Sequence, residues 1–156
     1  MAQQRLGCLA AIMDLHLRID GDLAGTIEIA LHAIADGAGT IAHLDCRRLS
    51  YEEVGGEAFK ASRHRSRHAL TQELLDELQR LLPSGPLATP SKLRCGVDVT
   101  TFTLTIGRGA NAVEYSWGVH LPAEWECLRA IVTLLVTTAG VAAFVDLHSD
   151  SAFRRP

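Results

Sequence analysis

The chain has 156 residues, the length of one domain, and is 47% hydrophobic and 21% charged; these proportions exclude disordered, collagen-like and coiled-coil chains. Fifteen Lys and Arg against 18 Asp and Glu leave a formal charge of −3, which argues against a nucleic-acid binder. Aromatic residues make up only 5%, so the core is expected to be aliphatic.

In chain order, the apolar run Leu6 to Met13 is short for an export peptide and lacks a small-residue cleavage site. From Asp14 to Asp20, Leu15, Leu17 and Ile19 alternate with Asp14, His16, Arg18 and Asp20, the period of a half-buried strand. Gly21-Asp-Leu-Ala-Gly25 interrupts the alternation, and Ile27, Ile29 and Leu31 resume it, which predicts a β-hairpin. A third, less regular strand is expected over Gly39 to Arg47. Residues 50–69 contain Gly55-Gly56 and the basic run Lys60 to His68 and read as a flexible insertion. Leu74, Leu75, Leu78, Leu81 and Leu82 then mark one face of a helix from Thr71, with Thr71 as N-cap and a stop at Pro83 to Pro86.

A second hairpin is predicted from Phe102, Leu104 and Ile106, the turn Gly107 to Asn111, and a return through Val113, Tyr115 and Trp117. Pro122 is expected to open the last helix, with Glu124 and Glu126 at its positive end and Trp125, Leu128, Ile131, Val132 and Leu135 as its buried stripe. Ala130 to Val145 carries no charge but is shorter than the ~20 residues a membrane span needs, so a buried helix is expected. Cysteines stand at 8, 46, 95 and 127 with no C-x-x-C pair, the pattern of reduced thiols in a cytoplasmic protein. The sum is a single α+β domain over residues 1–156: an antiparallel sheet of two hairpins packed against two main helices.

These elements, in this order, resemble the emfourin-like family of small bacterial inhibitors of thermolysin-type metalloproteases. The resemblance is carried by Arg18-Ile-Asp-Gly-Asp-Leu-Ala-Gly25 as the opening turn and by the Leu-rich helix Thr71 to Leu82. Phe102-Thr-Leu-Thr-Ile106 with its return strand, and Leu121-Pro122 before an apolar helix, complete it. Asp22 stands where the family more often has a glycine, and residues 36–69 form a long insertion relative to it. The resemblance implies a non-enzymatic domain whose partner is a metalloprotease.

No residues for catalysis, cofactor or metal binding emerge. His64 and His68 have the spacing of two helical zinc ligands, but they lack a third ligand and sit among Arg63, Arg65 and Arg67. Cys127, beside Leu128 and two glutamates, reads as a buried structural thiol. Asp20, Asp22 and Leu23 of the first turn, with Arg63, Arg65 and Arg67, are the expected partner-binding residues, and no membrane partner is expected. The rival reading is an immunity-type or regulatory protein that masks another macromolecule; a small-ligand-binding domain comes third.

Overall fold

The alternation of Leu15, Leu17 and Ile19 with polar neighbours produces a strand buried on one side only. The computed structural model describes residues 14–21, 25–36, 39–56, 58–90, 100–108, 111–118 and 120–145. Its elements are β1 (Asp14–Gly21), β2 (Gly25–Asp36), β3 (Gly39–Val54), β4 (Ala58–Ala69), α1 (Gln72–Leu81), β5 (Thr101–Arg108), β6 (Asn111–Trp117) and α2 (Leu128–Thr138). Single helical turns lie at Ala123–Trp125 and Ala142–Phe144. The architecture is α+β: one antiparallel sheet of order β4-β3-β2-β1-β5-β6, with two helices. Strands β1 to β4 follow one another as a meander, and the chain then returns to lay β5 on the free side of β1.

Burial confirms one core face. Leu15, Leu17, Ile19, Ile27, Ile29, Leu44 and Leu104 share a buried cluster with Leu75 and Leu78 of α1 and Leu128, Ile131 and Val132 of α2. The aliphatic core has an aromatic corner at the β6 edge. Phe102 stacks on Trp117 with ring centroids 5.5 Å apart, and Trp125 meets Tyr115 edge-on at 5.2 Å. The Trp125 indole N–H donates to the Ala88 carbonyl at 2.8 Å, and the Leu87 amide donates to the Tyr115 hydroxyl at 3.1 Å. These two bonds fasten the loop after α1 to the corner, so the buried polar tips of both rings are satisfied.

Four expectations need correction. The strand expected over Gly39 to Arg47 runs on to Val54 as β3, and Ala58–Ala69 form a further strand, β4, that was not expected. The last helix begins at Leu128, because Pro122 leads only into the single turn Ala123–Trp125, from which Trp125 is tied to Ala88. Cys127, at the helix cap, is exposed rather than buried. That helix ends at Thr138, and Ala142–Phe144 forms a separate turn. Thr71 does cap α1, its hydroxyl accepting from the Leu74 amide at 3.3 Å. No helix among the described residues is long and apolar enough to cross a membrane. The expectations for Leu6 to Met13, Cys8 and Cys95 fall outside the described residues.

Gly25 fixes how the first hairpin meets β3. Its φ of 107° lies in a region side chains rarely adopt, and a Cβ there would stand 1.9 Å from the Leu49 carbonyl oxygen. Gly55 also has positive φ, 70°, but nothing lies within 4 Å of its would-be Cβ. Gly25→Ala should therefore destabilise the fold by on the order of 3 kcal/mol, through strain and a backbone clash together. Gly55→Ala should cost only about 1 kcal/mol, since strain acts alone. Urea unfolding of the two variants measures the difference; equal losses would mean that β3 does not pass this close to the first turn.

Candidate functional site at the β3–β4 hairpin

β3 outruns the sheet. Its pairing with β2 covers Gly39 to Leu49, so Ser50–Val54 pair only with β4, through Ala58 to Ser62. This overhang is closed by Gly55 and Gly56, both at positive φ. Lacking a helix layer on one side or a neighbour strand on the other, it leaves Tyr51 42%, Val54 52% and Phe59 61% exposed. Tyr51 lies opposite Ala61, and Phe59 opposite Glu53. Strand alternation puts Tyr51 and Phe59 on one face at diagonal positions.

The same face carries the arginines. Arg63, Arg65 and Arg67 lie opposite Leu49, Arg47 and Asp45 respectively, and the face continues through Glu28 and Thr26 of β2 to Arg18 and Asp20 of β1. This is the side of the sheet away from the helices. Arg67 Nε donates to Asp45 Oδ1 at 2.7 Å and its Nη2 to Oδ2 at 3.3 Å. His32 and His43, stacked with centroids 5.3 Å apart, approach the same carboxylate at 3.4 and 3.8 Å. The hydrogen bond from Arg67 holds the Asp45 carboxyl below its ordinary range, against a smaller opposing effect of burial and helped by the charges of Arg67, His43 and His32.

Between β3 and β4 lies a shallow depression of about 310 Å³, lined by Asp45, Cys46, Arg47, Arg65, Ser66 and Arg67. Cys46 itself turns to the core, where burial pushes its thiol up, offset in part by Ser66 and Arg48. On the core face Arg48 lies over the Phe144 ring at 3.8 Å, and that contact ends the apolar packing along this hairpin.

The six expected binding residues are thus only partly united. Arg63, Arg65 and Arg67 form one row along an edge strand. Asp20 shares a register row with Arg63 through Thr26 and Leu49, three strand spacings or about 14 Å away. It is engaged locally: Arg18 Nε donates to it at 2.6 Å and the Thr26 hydroxyl at 3.0 Å. Burial pushes the Asp20 carboxyl up, but these bonds and the Arg18 charge outweigh it and leave it below the ordinary range. Asp22 and Leu23 lie outside the described residues. Gly25, where β2 begins, sits against Leu49 and Ser50 at the base of the overhang.

His64 and His68 lie on a strand, not a helix, and each bonds a serine two residues before it, Ser62 and Ser66. Four strand residues separate their positions by about 13 Å, too far for one metal ion. Sequence reasoning missed Tyr51, Val54 and Phe59 as surface groups and Arg47 as a further arginine of the face. One signal was available, since arginine alternates with serine and histidine from Ser62 to His68, a strand period written in charge.

Searches against protein-family models, curated proteins and solved structures find no match for this chain.

Because Asp45 titrates lower in the folded chain than in the unfolded one, its pairing stabilises the fold above the unfolded value of about 3.9. That contribution is lost as pH falls through the folded value. Arg67→Ala should raise the Asp45 pKa toward the ordinary carboxylate range, read by NMR titration of its side-chain carbon. An unchanged titration would remove Arg67 as the cause.

Proposed function

We propose that this chain is a non-catalytic protein-binding domain that docks through the β3–β4 overhang and the first hairpin turn. What supports the reading is the overhang itself. A two-stranded extension is marginal on its own in water, yet this one displays Tyr51, Val54 and Phe59 where no element among the described residues covers them. Exposed aromatic groups flanked by arginine have the composition of interface hot spots. A rigid sheet presenting a preformed projection also lowers the ordering cost of association.

The most specific form of this function is inhibition of a thermolysin-type metalloprotease in the emfourin manner, with the overhang and turn seated at the enzyme's cleft. An immunity-type or regulatory partner that masks a different macromolecule would use the same surface. A cytoplasmic setting, with reduced thiols, accompanies either form.

Titrating the full chain into a thermolysin-type protease should give inhibition. The Tyr51→Ala/Phe59→Ala double variant, with an unchanged circular-dichroism spectrum, should weaken it by on the order of 2–4 kcal/mol. Absence of inhibition by the folded wild-type chain would discard the protease form. Inhibition indifferent to the double substitution would take the overhang out of the interface.

A further inference from the structure

β4 is an edge strand. It pairs only with β3, so one side of its backbone presents unpaired amide and carbonyl groups, a template for another strand. Residues 63–67 are all exposed, and among the described residues no other element pairs with this edge.

The charges along the edge are unbalanced. Arg65 lies directly opposite Arg47, and like charges in a cross-strand pair are destabilising. Arg47, Arg63 and Arg65 have no ion-pair partner among the described residues, while Arg67, though held by Asp45, remains 68% exposed. The depression between β3 and β4 opens between these guanidinium groups.

We infer that the edge of β4 takes up an extended acidic segment of a partner protein as an added strand, its carboxylates at alternate positions facing Arg63, Arg65 and Arg67. This rests on the protein-binding reading above and supplies the chemistry of the partner.

Geometry favours a strand. Alternate side chains along β4 are about 6.7 Å apart, and those of an added strand have the same repeat. Each arginine therefore meets one carboxylate, and opposite-charge pairs across strands are favourable. Free backbone groups bond the same segment, which a helix could not match.

Other occupants fit less well. A second copy pairing β4 to β4 would set one arginine row against another. A nucleic acid lying over the face would meet Asp45, Glu28 and Asp20 on β3, β2 and β1 and Glu114 on β6, with Arg18 already paired to Asp20 and Glu28, so the unbalanced positive charge is confined to β3 and β4. Charged edges prevent self-pairing; the same charges select a partner of opposite sign.

The test uses the full chain and labelled short peptides, read by fluorescence anisotropy. One peptide has Glu at every second position with Thr and Val between; a second has the same composition with its glutamates contiguous; a third is the alternating peptide with N-methylated backbone amides. The alternating peptide should bind about tenfold more tightly than either control, and raising salt should weaken it. Arg65→Glu removes the Arg47–Arg65 repulsion and so should remain folded. It should lower affinity about tenfold, with binding restored by a peptide carrying Lys in place of its central Glu.

Equal binding of the alternating and contiguous peptides, or indifference to N-methylation, would overturn strand addition. So would an oligonucleotide that displaces the alternating peptide at lower concentration than the unlabelled peptide itself. Peptide binding without protease inhibition would leave the edge site standing and discard only the protease form. Inhibition without selective peptide binding would do the reverse.

Discussion

Leu15, Leu17 and Ile19 on β1 are each at most 1% exposed, and their burial against the helical layer holds the molecule together at its middle. Burying one such side chain is worth about 1.5–3 kcal/mol. The strand that carries them is bonded on both edges, to β2 and to β5. The rest is positioned relative to this line. The core continues to Leu44 and Cys46 on β3, reaches Arg48 against Phe144, and is exhausted before the overhang.

The opposite face lacks this cover, so its charges are balanced within the plane of the sheet. Arg18 serves Asp20 and Glu28, and Asp45 gathers Arg67 with His32 and His43. The balance fails on β3 and β4, where Arg47, Arg63 and Arg65 accumulate. Structural stability and the proposed recognition are thus separated in space: the apolar centre maintains the sheet, and the unpaired arginines lie at its margin.

How much of this could be read from residues alone follows the same division. Where one face is buried, the sequence alternates in hydrophobicity, and β1, β2, β5 and β6 were legible from Leu15-x-Leu17-x-Ile19 and Phe102-x-Leu104-x-Ile106. The α1 helix announced itself by its leucines and its Thr71 cap. Residues 50–69 gave no such signal because the overhang and the edge strand are solvated, so apolar periodicity has nothing to record. The late start of α2 was hidden for another reason: Trp125 belongs to the apolar stripe in sequence, but its indole N–H is committed to Ala88, thirty-seven residues away. Of the candidate site, the arginines and the first turn were visible as composition. That Gly25 meets the base of the overhang depends on its approach to Leu49, a long-range contact no local pattern encodes.

The aromatic corner has a consequence for observing this protein in solution. Trp117 and Trp125 are the chain's two tryptophans, and their rings meet edge-on at 6.4 Å. Both stand at the β6 margin, five strand spacings or about 24 Å from β4. Their intrinsic emission reports closure of the helices over the sheet and is nearly blind to events at the arginine edge. Tyr51, on the overhang, is the chromophore placed to sense a visitor there. The molecule therefore carries two separate optical signals, one for its own integrity and one for occupancy, at opposite ends of a single sheet.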